Sequence, residues 1–273
     1  MFTTHAPADL VLGTARLGTL AAADADRVLR AALTGSIAWI DAASESTGCE
    51  QKIASNLLGM KGVRISTTLT PHDDSDTGTV RRMLIDSIRR SCTRLRTDRL
   101  DVFLLDSARH LTSHAGVLWQ TVKKLRDQGV LYDLGVCVET PEQALTALAD
   151  PDIRHIQIAF TPFDRRWRTS GVEQALLDHP HLTIHARAAR HTGRLNTMRV
   201  NALARELGRE SAIDLCLAYI RGQSWIDGVI VDVDDLQELT LSRALFRRPV
   251  LTSDEIMAVD RTLASVPRLY RIA

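Results

Sequence analysis

The chain has no CxxC pair, almost no net charge, no long apolar run and no linker-like stretch, and each absence closes off a class of answers. Its four cysteines, Cys49, Cys92, Cys137 and Cys216, are widely spaced and lie in or beside apolar segments. There a reduced thiol behaves as a small hydrophobe rather than as half of a disulfide, which fits a cytoplasmic compartment. With 34 basic against 33 acidic residues the formal charge is +1. No global field therefore draws the chain to nucleic acid or to an anionic membrane, and neither is an expected partner. The N-terminal MFTTHAPADLVLG has neither the basic start nor the apolar core of a signal peptide, and no stretch approaches membrane-spanning length. HExxH spacing is also missing, so no metal site is expected. No Pro/Gly/Ser-rich segment divides the chain, which reads as one domain over residues 1–273.

What is present is an ordinary globular composition, 45% hydrophobic and 25% charged, organised as short Val/Ile/Leu runs alternating with longer segments of helical period. The runs predict strands at 10–14, 37–41, 63–68, 100–105, 133–137, 155–159, 182–186 and 228–231. Between them DADRVLRAAL, TVRRMLIDSIRRSCTRL, GVLWQTVKKLRDQG and TPEQALTALA predict helices, the last with Thr140 as N-cap and Pro141 at its first position. Eight such units in a chain of this length match an α/β fold of the (β/α)8 TIM-barrel type. The doubly wound alternative lacks its phosphate turn, because GTARLG stands where GxGxxG would. In a barrel the chemistry belongs at the carboxyl ends of the strands, which gathers Asp41, Thr68, Asp106, Cys137, Gln157 and Arg187 at one mouth.

Several ordered motifs then carry a resemblance: GTARLG, WIDAASESTGCEQKIASNLLG, VRISTTL, SIRRSCTRLRTDRLDVFLLD, LRDQGVLYDLGVCVETPEQ, IQIAFTPFDRRW and IHARAARHTGRL. Together they resemble the aldo-keto reductase superfamily, nearest to its short bacterial branch often found in cell-surface polysaccharide clusters. The resemblance implies an NADPH-dependent oxidoreductase scaffold with a catalytic aspartate, tyrosine, lysine and histidine. At the matching positions this chain keeps Asp41 but carries Thr47, Thr68 and Asp106 in place of the other three. On the cofactor side Gln157 and Arg187 keep the family's positions. Cys137 replaces a serine, Thr161 an asparagine, Asp232 a glycine and Ser242 an asparagine, with Arg243 nearby. A threonine hydroxyl is far less acidic than a phenol, no lysine helps it, and an ionised Asp106 opposes the negative charge that develops on a reduced carbonyl. The resemblance thus implies a reductase scaffold whose conventional activity is lost and whose NADPH binding is weakened or lost.

Three functional readings follow: a pseudoenzyme binding a small ligand at the mouth or a protein partner; a divergent enzyme acting on a sugar or polysaccharide precursor through Asp41 and Asp106; or a weak NADPH oxidoreductase with an altered proton donor. Asp41 and Asp106 could share a proton or, with His185, hold a cation, or each could be satisfied locally in a relic pocket. His110 reads as a displaced substitute for the lost histidine or, more simply, as a surface-loop residue. Arg187 suits an anion or a structural ion pair, and Cys137 reads as packing. The arginines around Met83, Leu84, Ile88 and Leu95 read as the solvated face of a barrel helix.

Overall fold

The computed structural model describes residues 7–35, 37–43, 48–57, 62–71, 76–187 and 198–264. Eight parallel strands close into a barrel in chain order: β1 (Asp9–Gly13), β2 (Trp39–Ala43), β3 (Arg64–Leu69), β4 (Leu100–Leu105), β5 (Leu131–Val138), β6 (Ile153–Ala159), β7 (Thr183–Arg187) and β8 (Gly228–Asp232). β8 pairs back onto β1 and completes the ring. Around it lie α1 (Ala22–Thr34), α2 (Cys49–Asn56), α3 (Thr77–Leu95), α4 (Val117–Asp127), α5 (Pro141–Leu148), α6 (Arg166–Thr169), α7 (Val172–Leu177), α8 (Met198–Glu206), α9 (Ala212–Arg221), α10 (Leu236–Arg247) and α11 (Ser253–Ala264). The architecture is the expected (β/α)8 barrel.

All eight expected strands are found, with shifts at their ends. The expected start of β2 at residue 37 moves to Trp39, because the Ile37 N–H still donates to Ala32 at the end of α1 and pairing begins with Val11↔Trp39. At α5 the Thr140 side chain accepts from the Gln143 N–H and Pro141 opens the helix, as the sequence predicts. In α3 the buried stripe runs through Val80, Leu84, Ile88 and Leu95, with Ser87 and Ser91 filling the close approach to the sheet. Met83 sits one position off that stripe and is exposed, which corrects its assignment to the apolar face.

The main hydrophobic core lies between sheet and helices, built from outward-facing strand residues such as Leu12, Ile40, Phe103, Leu105, Val136, Ile156 and Ile158. The barrel interior is different. It holds a small separate apolar cluster of Val102, Leu104 and Cys137 packed by Trp39. Beside it, from strands on opposite sides of the ring, the Trp39, His155 and His185 rings meet at centroid distances of 4.7 to 5.6 Å from Trp39 and 4.4 Å between the imidazoles. Arg64 lies 4.5 Å over the Trp39 ring and pairs with Asp133.

Both ring nitrogens of His155 and the Nδ1 of His185 are buried without a hydrogen-bond partner. Burial, with the neighbouring Arg64 cation adding to it, pushes the His185 imidazole down to about 3, and His155 well below its ordinary value. Both are therefore neutral in the folded protein. In the unfolded chain they take up protons near pH 6.5, so stability is intact above that value and is lost as pH falls from about 6.5 toward the folded His185 value. At pH 5.5 the cost is about 1.4 kcal/mol per histidine. Urea unfolding at pH 7.5 and 5.5 should show this loss, with His185→Leu removing about half of it; equal losses in wild type and variant would contradict the assignment.

Candidate functional site

Side chains that alternate along a strand share a face, so the residues two places beyond Trp39, His155 and His185 form the next interior layer: Asp41, Gln157 and Arg187. Here the barrel is tied across its width. The Gln157 Nε2 amide donates to Asp41 Oδ1 at 2.6 Å, and the Ser66 hydroxyl donates to the same oxygen at 2.7 Å. On the other side of the amide, Arg187 donates to Gln157 Oε1 at 2.9 Å. The Cys137 thiol contacts Gln157 Oε1 and Arg187 at 3.6 Å. Burial pushes that thiol up to about 12 despite the Arg187 cation, so it is an inert packing group. The Asp41 carbonyl is held as well, by the Thr14 N–H at 3.1 Å and hydroxyl at 2.8 Å. Asp41, Gln157 and Arg187 thus form one continuous polar chain, and the glutamine amide is used at both ends. Arg187 is thus engaged with a neutral amide, with the charges of Asp41, Asp232 and Asp106 acting on it.

Beside this layer Gly13 separates Asp41 from Asp232, pairing with both in register. A Cβ on Gly13 would lie 2.4 Å from Asp232 Oδ1, so only glycine lets the Asp232 carboxylate lean across β1. Burial, then the charge of Asp41, raises the Asp232 pKa, while the Ala15 N–H and Arg187 act the other way. The following turn is equally acidic. Asp235 caps α10 by accepting from the Glu238 N–H at 2.8 Å, and Glu238 reaches back to the Asp234 N–H at 2.7 Å. This reciprocal arrangement occupies the Glu238 N–H in the first turn and the Asp234 N–H just before the helix with carboxylates of the same segment. Arg16 pairs with Asp234 at 2.6 Å. Ser242 is buried within α10. Arg243 points to the far end of α1, donating to the carbonyls of Ala31 at 3.2 Å and Gly35 at 3.3 Å. Arg248 is held by Glu210, Asp214 and the Gly208 carbonyl.

A second cluster stands at the end of β4. Asp106 contacts His110 Nε2 at 3.0 Å, and the His110 Nδ1 lies 3.4 Å from the Ser113 hydroxyl. The His110 side chain is fully buried, which corrects its reading as a surface-loop histidine. A 3-10 turn over Ala108–Leu111 folds the histidine back onto the strand end. Burial pushes the Asp106 carboxyl up, but hydrogen bonds from His110 and Thr70 with the charge of Arg109 outweigh it and leave the pKa lowered. Of the readings offered for Asp41 and Asp106, local satisfaction is the one their contacts fit, since each acid has separate partners, and the carboxyl with a raised pKa is Asp232. His185 lies one layer below the mouth against Trp39 and His155, so it does not join those acids around a cation. Among the described residues no group of three metal-ligating side chains occurs.

Thr68 is the last but one residue of β3, beside Leu104 and within hydrogen-bonding reach of the Cys137 thiol. Thr161 follows β6, its carbonyl accepting from the Asp164 N–H at 3.0 Å. Thr47 lies outside the described residues. Ser66 and Ser113 were not singled out from the sequence, although Ser66 shares the inward period of Arg64 and Thr68 on β3.

A buried carboxylate with a raised pKa destabilises the fold at neutral pH and does so less as it becomes protonated. Its protonated form is fully present below the unfolded value near 3.9, and that contribution is lost as pH rises through the folded value. Asp232→Asn should therefore raise the melting temperature at pH 7.5 and give a gain that shrinks as pH is lowered toward 4. A gain independent of pH would show that charge is not its source.

Three solved structures share the shape. A holo-form aldo-keto reductase of Bacillus halodurans superposes with a TM-score of 0.76 at 18% identity, over 93% of this chain and 91% of that one. Its apo form gives 0.72 at 15%, over 94% and 91%. A thermostable aldo-keto reductase, Tm1743, in complex with the inhibitor epalrestat gives 0.73 at 17%, over 93% and 94%. No curated protein matches the sequence. The Aldo/keto reductase family model matches residues 9–264, and with a barrel of the same architecture beneath it the chain belongs to that family.

Proposed function

We propose that this member of the family has given up carbonyl reduction through the tyrosine-centred tetrad and uses its mouth to bind a neutral, sugar-like ligand. The family typically binds NAD(P)H, and the observation that carries the proposal is the chemistry at the end of β8. Asp232 leans over Gly13, while Asp234, Asp235 and Glu238 surround the head of α10. A helix N-terminus ordinarily welcomes a phosphate through free amides and its dipole. Here the Glu238 N–H is taken by Asp235, and the carboxylates around the helix head would repel a pyrophosphate. These residues do not fit the cofactor.

The rest of the mouth supports the same reading. Gln157, at the position the family uses for the nicotinamide carboxamide, has its amide bound by Asp41 and Arg187. Thr68 and Asp106 supply neither a cation nor an acidic phenol, and Asp106 is held ionised. Asp41, Asp106 and Asp232, with Arg187, Arg16 and Arg109 acting on them, give a mouth of mixed charge that suits a neutral ligand rich in hydroxyl groups. The segments resembling the polysaccharide-cluster branch point to the same ligand class.

Titration with NADPH, followed by nicotinamide fluorescence, should show no saturable binding up to millimolar cofactor. In parallel thermal unfolding, neutral mono- and oligosaccharides should stabilise the protein, by about 2.7 kcal/mol at a hundred times the dissociation constant. Their phosphorylated counterparts should not. Micromolar NADPH binding would overturn the proposal in favour of an oxidoreductase with an unfamiliar proton donor. Stabilisation by no sugar would overturn the ligand class and favour a protein-binding scaffold.

A further inference from the structure

The charge of α3 is left largely unanswered by the rest of the molecule. Residues 81–99 carry seven arginines against two aspartates, in a chain whose formal charge is only +1. Arginines elsewhere are tied to carboxylates: Arg64 to Asp133, Arg126 to Asp152, Arg166 to Asp164 and Arg248 to Glu210. On α3, by contrast, Arg82 donates to the Thr79 hydroxyl at 2.9 Å, and Arg89 approaches Asp86 only at 4.0 Å. Arg94 meets Glu50 at 3.5 Å, and Arg81 and Arg90 form no ion pair among the described residues. Arg90 and Arg94 also stand one turn apart, a spacing at which like charges destabilise a helix. Arg90 is exposed, so packing does not require that arrangement.

The shape of this face narrows what it fits. By helical period Asp86 and Thr93 run down its middle, with Arg82 and Arg89 to one side and Arg90 and Arg94 to the other. Asp86, Arg89, Arg90, Thr93 and Arg94 line an open hollow of about 420 Å³. Met83, exposed on the same helix, adds an apolar contact beside Arg90. Arg82 and Arg89 stand seven residues apart, about 10.5 Å at the rise of an α-helix, and Arg96 follows at the C-cap. A second helix repeats its side chains at the same rise, so carboxylates at seven-residue spacing meet these arginines in register, each able to accept two guanidinium N–H bonds. A nucleic-acid strand, with a phosphate every ~3.4 Å, is too densely charged for such a row. Asp86 repels it as well, and no aromatic ring lines the hollow to stack a base. Arginine and methionine are side chains that protein interfaces favour.

We propose that the exposed face of α3 docks an acidic helix of a partner protein, whose carboxylates meet Arg82, Arg89 and Arg90 and whose apolar side chain covers Met83. The charge of one surface answers the charge of the other, and burial of the methionine adds the non-polar contact that holds them. Asp86 sets the register, because a carboxylate placed opposite it is repelled and a shifted partner helix is thereby rejected. The docking face lies on the outside of the barrel and does not depend on what the mouth binds.

A fluorescently labelled synthetic helix with Glu at every seventh position and a Leu to meet Met83 tests this, titrated against the full chain and followed by anisotropy. The expected result is saturable binding that weakens as salt is raised and falls by about tenfold or more in the double variant Arg89→Glu/Arg90→Glu. The milder Arg89→Gln/Arg90→Gln pair should lose affinity in the same direction, with the circular dichroism spectrum retained. Arg27→Glu/Arg30→Glu, the same change of charge on the exposed side of α1, should leave binding unchanged. Absence of saturable binding, or an equal loss in the α1 variant, overturns the proposal. So does a single-stranded oligonucleotide or a phosphatidylserine vesicle that binds as tightly as the peptide. The titration contains neither NADPH nor sugar, so its failure leaves the ligand-binding reading standing, and the reverse also holds.

Discussion

The structure of the mouth depends on the bond between the Gln157 amide and the Asp41 carboxylate. It joins strands on different sides of the ring, from residues 116 positions apart in the chain, at a level where the interior has become polar. Each partner would otherwise be a buried group without a full complement of hydrogen bonds, which costs about 1–3 kcal/mol in a folded protein. Ser66 adds a second bond to the same Asp41 oxygen and Arg187 engages the amide oxygen, so the layer is held collectively. Such a layer leaves little hydrogen-bonding capacity for a bound carboxamide. The same polar plug that closes the barrel therefore limits what the barrel can bind.

The acidic side of the mouth is coupled to that plug through Gly13. Because this glycine stands between Asp41 and Asp232 in register, the two carboxylates face each other over a missing side chain, and the charge of the first raises the pKa of the second. The capping box on α10 continues the negative potential away from the strand ends. Arg243, the cation nearest in sequence, is spent on the carbonyl end of α1, where it suits the helix dipole. Position by position these are ordinary structural devices. Their sum at one end of one strand is an acidic surface.

Much of this organisation was legible in the chain because strands buried on both faces are written as continuous Val, Ile and Leu runs, and Thr140–Pro141 spells a helix start in two letters. Gathering Asp41, Asp106, Gln157 and Arg187 at one end followed from strand period alone. Their partners did not. Gln157 finds Asp41 only after the ring has closed, and no local pattern announces a bond across the barrel. His110 looked like a surface residue because a histidine four places after a strand gives no sign of the 3-10 turn that returns it to Asp106. Ser113 is one turn further on and carried still less signal. The start of β2 was misplaced for a simpler reason: Ile37 is apolar and β-branched, but its N–H belongs to the end of α1.

The separation of the two cores divides what holds the fold from what shapes the mouth. Outward-facing strand residues pack against the helices and carry most of the buried apolar surface, whereas inward residues two apart on the same strands determine the mouth. A change at Thr68, Asp106 or Asp232 leaves the outer cluster untouched, since none of these side chains contributes to it. Compensation has to come from within the interior layers. The interior of this barrel is organised in local pairs: Asp106 with His110, Gln157 with Arg187, Asp232 with the space over Gly13. The partner beside each polar side chain, as much as the side chain itself, decides what chemistry the interior offers.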